Sequence, residues 1–173
     1  MFDKNFYISS HQVRANGGVS EQDEDGDGCK NGASGTVWYR TNDTLVVNNN
    51  EANSTAYTVV RVPSAKATLD GDKYELSKKL YVADGARLFV EDDEHKDMTF
   101  DELYVFNHSW LQLSQSIDRL HLHAVNETYI SGTSTLDFSK TKFVGIYPGP
   151  NNTDTTFGKI LYHEFLGIRG VNI

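Results

Sequence analysis

The residues best suited to chemistry in this 173-residue chain are carboxylates, imidazoles and asparagines. Asp23, Asp25 and Asp27 alternate and lead into Gly28, the spacing of a D-x-D-x-D-G calcium loop. Alternate carboxylates converge on a hard cation while glycine takes the sharp turn. The closing position of such a loop falls on Ser34 rather than a bidentate glutamate. The expectation is therefore a weak calcium site, set against the plainer reading of a solvated acidic loop.

His121 and His123 stand two apart, so a strand would present both on one face, where zinc needs at least one further ligand. A polar outer face accounts for the same pair without metal. Asp137, Asp118 and Arg119 are the nearest candidates for the acid chemistry of a polysaccharide lyase or hydrolase. No second carboxylate recurs beside them at the same repeat position, and Asp92, Asp93 and Glu94 read as a solvated run. Phosphate loops and nucleophile elbows are absent from the sequence, and the chain reads as a non-enzyme.

Five N-x-[S/T] sequons begin at Asn42, Asn53, Asn107, Asn126 and Asn151, each an N-glycosylation candidate. Asn42, Asn107 and Asn126 are expected in turns, although asparagine favours turns for its own reasons. Tyr81, Tyr104 and Trp110 are expected to face outward, with Tyr81, Tyr104 and then His121 at equivalent positions. Such rings would stabilise their own sheet or contact a sugar or a partner.

The elements that position these residues are short strands. Apolar residues at i and i+2 recur after an offset of eight: Leu80-Tyr81-Val82 with Leu88-Phe89-Val90, Leu103-Tyr104-Val105 with Leu111-Gln112-Leu113, Leu120-His121-Leu122 with Thr128-Tyr129-Ile130, Leu136-Asp137-Phe138 with Val144-Gly145-Ile146, and Val37-Trp38-Tyr39 with Leu45-Val46-Val47. With Val60-Arg61-Val62 included, the first triplets advance by 23, 20, 23, 17 and 16 residues. Residues i and i+2 share one face of a strand. Two such strands joined by a turn, repeated along the chain, predict a parallel, right-handed β-helix (a β-solenoid) in which each coil stacks on the last. A β-sandwich or jelly roll is the alternative all-β fold. Residues 1–173 read as a single segment of this kind.

Hydrophobic residues make up 38% of the chain and the net charge is −8. This excludes a basic nucleic-acid stripe and attraction to an anionic membrane, and no apolar run is long enough to span a bilayer. The opening MFDKNFYISS lacks the basic and apolar runs of a signal peptide. Both ends read as mid-strand sequence, Phe6-Tyr7-Ile8 and Ile168 to Ile173. The expectation is a piece of a longer chain whose partners are further segments or neighbouring subunits at both ends. The lone Cys29 would then pair outside it.

The run from Ile8 to Gly18, then Cys29 to Arg40, then Asp43 to Asn50 resembles a segment of large glycine-rich extracellular proteins of plants, algae and protists. The shared pieces are Asn16-Gly17-Gly18, Cys29, Gly32-Ala33-Ser34-Gly35-Thr36 and a strand ending Val47-Asn48-Asn49. Asp23 to Gly28 departs from the pattern. The resemblance covers about a quarter of the chain and implies an extracellular or cell-surface β-helix, in some members part of a flagellar mastigoneme. The sequence-level conclusion is a structural segment of a secreted or cell-surface glycoprotein, a stiff rod or filament part. A carbohydrate-binding module using outward aromatics is the alternative, and a β-helix lyase or hydrolase a more distant one.

Overall fold

The computed structural model describes residues 15, 32–51, 55–61, 77–91, 97–114, 119–139, 143–150, 159–162 and 165–168. These residues form twelve strands and no helix. In chain order the strands are β1 (Thr36–Tyr39), β2 (Thr44–Asn48), β3 (Thr58–Arg61), β4 (Lys79–Ala83), β5 (Arg87–Glu91), β6 (Asp97–Val105), β7 (Trp110–Ser114), β8 (Arg119–Ile130), β9 (Thr135–Phe138), β10 (Phe143–Tyr147), β11 (Lys159–Tyr162) and β12 (Phe165–Ile168).

Two sheets result. One runs β1-β2-β4-β6-β8-β10-β12 and the other β11-β9-β7-β5-β3. From β2 onward, consecutive strands alternate between the sheets, and each pairs in parallel with the strand two further along. The first sheet is mixed because β1 and β2 pair antiparallel, with Thr36 opposite Val47.

Alternation builds the core. In β4 and β5 every second residue is buried, so one face is apolar and the other is partly wet. The register then turns single apolar residues into columns. Leu45, Leu80, Leu103 and Thr128 lie side by side, as do Val47, Val82, Val105 and Ile130. On the second sheet Thr58, Leu88, Leu111, Leu136 and Ile160 are aligned. Leu80, Leu88, Leu103, Leu111 and Leu136 are almost wholly excluded from water and belong to one cluster drawn from both sheets. Each such side chain contributes roughly 1.5–3 kcal/mol of transfer free energy.

Successive column members are 23 residues apart from Leu80 to Leu103, 25 from Leu103 to Thr128 and 24 from Leu120 to Val144. The shorter steps of 17 and 16 read from the sequence do not separate equivalent positions. Leu120-His121-Leu122 and Thr128-Tyr129-Ile130, expected on two strands with a turn between, are the two ends of the twelve-residue β8. Between them Ala124-Val125-Asn126-Glu127 holds no glycine or proline; Leu120, Leu122 and Ala124, then Thr128 and Ile130, are buried at one parity, which Asn126 interrupts by being exposed. Against β6 the register shifts here, Phe100 lying beside Ala124 but Glu102 beside Glu127, so β8 carries one more residue than β6 across this stretch.

Val37-Trp38-Tyr39 and Leu45-Val46-Val47, expected as two arms of one coil, instead form a hairpin. Its turn is closed by Asp43, at φ 48°, whose Oδ1 accepts the Trp38 indole N–H at 3.0 Å. The left-handed region is open to aspartate at low cost.

The corners between sheets repeat one device. Asn50 and Glu51, Asp84 and Gly85, and Asn107 and His108 are consecutive pairs at positive φ. The corners hydrogen-bond to each other, Glu51 N–H to Asp84 O at 3.0 Å and Gly85 N–H to Asn107 O at 2.8 Å. The Asp84 carboxylate is held from both sides, taking Asn48 Nδ2 at 2.5 Å and Asn107 Nδ2 at 2.7 Å.

Candidate functional site: a tyrosine and glutamate ladder

The outward face of the first sheet carries a second set of columns. Lys79, Glu102 and Glu127 are in register, and so are Tyr81, Tyr104 and Tyr129. The Tyr81 and Tyr104 rings stack at 4.6 Å between centroids with 7° between planes, and Tyr129 continues the column at 6.2 Å. Each phenol leans back along the neighbouring strand. Tyr81 Oη–H donates to Glu102 Oε2 at 2.7 Å, and Tyr104 Oη–H to Glu127 Oε2 at 2.5 Å. Lys79 Nζ closes the set on Glu102 Oε1 at 2.6 Å.

The electrostatics follow from this contact list. Burial, then the hydrogen bond and charge of Glu102, push the Tyr81 phenol far above its ordinary value. Burial and Glu127 do the same to Tyr104. For Glu102 burial acts to raise the pKa, but the Lys79 and Tyr81 hydrogen bonds outweigh it and the carboxyl sits below its ordinary range. Tyr81 and Tyr104 are thus neutral phenols, each bonded to a carboxylate on the next strand of the sheet. This is the chemistry of a stiffened surface.

Tyr129, Glu102, Glu127 and Lys79 were not singled out from the sequence. The signal was present, since Lys79-Leu80-Tyr81, Glu102-Leu103-Tyr104 and Glu127-Thr128-Tyr129 repeat one charged, inward, tyrosine triplet. The third ring of the column is Tyr129, and the expected His121 lies instead opposite Gly145 and Asp97 near the other end of β8. The length of β8 decides this: Arg119–Ile130 is a single strand, so its C-terminal half, carrying Tyr129, lies beside Tyr104 and its N-terminal half, carrying His121, lies beside the start of β6.

Trp110 is not part of this face. It lies on β7 in the other sheet, beside Arg87, whose guanidinium carbon is 5.2 Å from the indole centroid and 5.9 Å from the Tyr57 ring. Tyr57 also meets Phe89 edge-on at 6.4 Å. The buried Trp110 Nε1 has no hydrogen-bond partner among the described residues. The three aromatics expected to form one ligand face therefore divide between two faces.

His121 and His123 do share the outer face of β8, with ring centroids 6.2 Å apart. Tyr147 stacks on His123 at 4.3 Å, and its hydroxyl is 3.1 Å from His121 Nδ1, reaching across Gly145, where a Cβ would lie 2.9 Å from the tyrosine ring. Among the described residues no three His, Cys, Asp or Glu side chains are grouped to hold a metal. Asp137, a candidate for acid chemistry, is only 7% exposed on a fully buried strand, and its Oδ1 accepts the Ser139 N–H at 2.9 Å.

Asn42 is exposed in the β1–β2 turn and Asn107 in the β6–β7 corner. Asn126 is exposed too, but within β8 rather than in a turn. The segment after β10 packs there, Gly149 lying against the Asn126 backbone with no room for a Cβ. Asp23, Asp25, Asp27, Cys29, Asn53, Asp92, Asp93, Glu94, Asp118 and Asn151 lie outside the described residues. Among the described residues no helix is long and apolar enough to cross a membrane. Comparison with protein-family models, curated proteins and solved structures finds no match to this chain.

Proposed function

We propose that this chain is a non-enzymatic structural segment of an extracellular or cell-surface glycoprotein, built as a right-handed parallel β-helix that serves as a stiff rod. The observation that carries the reading is the pairing of every strand from β2 onward with the strand two further along, always in parallel. Immunoglobulin-like sandwiches and jelly rolls pair antiparallel strands. One turn of a β-helix is two or more strands and their corners, and parallel stacking of turns yields this strand order. The right hand follows from the usual sense of parallel crossovers.

Stiffness is supported by three stacked systems: the inward aliphatic columns, the outward phenol and carboxylate ladder, and the corner amides on Asp84. Each couples one level of the rod to the next. The glycoprotein part rests on the sequons, of which Asn42, Asn107 and Asn126 are exposed. Their hydroxyl residues Thr44, Ser109 and Thr128 are buried. A transferase that must contact that hydroxyl would act before the strands close. The resemblance to glycine-rich surface proteins, mastigoneme components among them, favours the same reading.

Expression through a eukaryotic secretory pathway, followed by intact mass before and after peptide:N-glycosidase, tests it. The expected result is a mass loss, with Asn42, Asn107 and Asn126 among the converted sites. A secreted chain of unmodified mass would overturn the glycoprotein reading.

A further inference from the structure

The corner stack encloses a recess of about 390 Å³ lined by Glu51, Gly85, Asn107 and His108. We propose that this recess is a seat for the first sugar of a glycan on Asn107, so that this glycan packs on the protein while those on Asn42 and Asn126 project into solvent. The proposal rests on the glycoprotein reading above and adds which glycan is held and by what.

Three features carry it. First, the recess is at the lower end of the roughly 300–1,000 Å³ range of small-ligand sites, and an acceptor asparagine is part of its wall. Second, the Asn107 side chain is oriented, not free. Its Nδ2 donates to Asp84 Oδ1 at 2.7 Å, and the Asn107 backbone carbonyl takes the Gly85 N–H at 2.8 Å, which fixes the corner from which the side chain springs. A primary amide has two N–H groups. Linking one nitrogen valence to a sugar carbon leaves one N–H, enough to keep the Asp84 bond while the sugar takes the other direction. Third, the walls suit a hydroxylated, acetamido-bearing ring. Glu51 supplies a carboxylate acceptor, His108 an imidazole, and Gly85 a stretch of backbone with no side chain above it. Gly85 sits at φ 78°, where a bulkier residue would also be strained. Asn42, by contrast, stands in a hairpin turn at the end of the first sheet, and Asn126 is exposed at the interruption within β8.

The test compares peptide:N-glycosidase release at each site by peptide mass spectrometry, on the folded secreted chain and after denaturation. In the folded chain, Asn42 and Asn126 are expected to be cleared at least about tenfold faster than Asn107, with the difference vanishing on denaturation. The double variant Glu51→Asn, His108→Asn keeps the Asn107 sequon and side chains that tolerate positive φ. It should bring Asn107 release to within about twofold of the other sites at unchanged occupancy. Equal native release rates in the parent chain, or occupancy of Asn42 and Asn126 without Asn107, would overturn the seat and leave the glycoprotein reading standing. A chain with no glycan at any sequon would overturn both.

Discussion

Leu111→Ala is expected to lower the unfolding free energy by about 2–5 kcal/mol, the range for large-to-small changes in a rigid core. Leu111 is 0% exposed, between Leu88 and Leu136 on the neighbouring strands. Truncation removes contacts on both sides at once, and a strand pinned by parallel ladders cannot move in to fill the gap. For a chain of this length each kcal/mol shifts Tm by about 2–4 °C, so urea and thermal melts both resolve the change. The adjacent Gln112→Ala should cost less than about 1 kcal/mol, because Gln112 points the other way and is only partly buried. A similar loss from both variants would mean the alternation is misassigned.

Glu102→Gln is the second large effect, and it carries a pH signature. Glu102 accepts from Lys79 and Tyr81, and hydrogen bonds to a charged group are each worth about 1.5–3 kcal/mol. Because Lys79 is partly exposed and glutamine keeps one acceptor, the expected net loss at pH 7 is about 1–2 kcal/mol. The Glu102 carboxyl is lowered in the folded chain. Its contribution is therefore complete above the ordinary glutamate value of about 4.3 and is lost as pH falls through the folded value. Parent and variant should converge in stability as pH falls through that folded value. At the alkaline end the sign reverses. The Tyr81 phenol is raised, so its contribution is present below about pH 10 and lost as pH climbs toward the folded value. In the variant, phenolate absorbance for one tyrosine should appear at lower pH than in the parent, though still above the ordinary value, because burial persists. A stability difference that does not change between pH 7 and pH 3 would show that the carboxylate is not the source.

Much of the fold was legible in the residues because inward alternation is a strong local signal. Leu80 and Val82, Leu88 and Val90, and Leu103 and Val105 announce their strands, and Ala83-Asp84-Gly85 announces the corner between the first two. The offset of eight was less informative than it looked. Eight residues separate two strands across a corner in Leu80 and Leu88, two positions within one long strand in Leu120 and Thr128, and two arms of a hairpin in Val37 and Leu45. All three obey the same period of two, so only turn chemistry tells them apart. Positive-φ residues mark the corner and the hairpin, and their absence marks β8. The ladder was half legible. Tyr81 and Tyr104 were found as equivalent outward rings, but reading Leu120 to Ile130 as two strands rather than one hid Tyr129 as their third member. The partners of the phenols lie on the next strand, where register rather than local sequence sets the neighbour. Trp110 was placed with the tyrosines because its outward direction was clear and its sheet was not.

The claim on which the account turns is that successive levels stack in parallel register, Leu88 beside Leu111. A double-mutant cycle on Leu88→Ala and Leu111→Ala measures it directly, with sucrose added to keep the double variant folded. Side chains in contact across neighbouring strands are expected to couple by at least about 0.5 kcal/mol, the double loss falling short of the sum of the single losses. Additivity within about 0.3 kcal/mol would place the two leucines apart and contradict the stacked parallel arrangement.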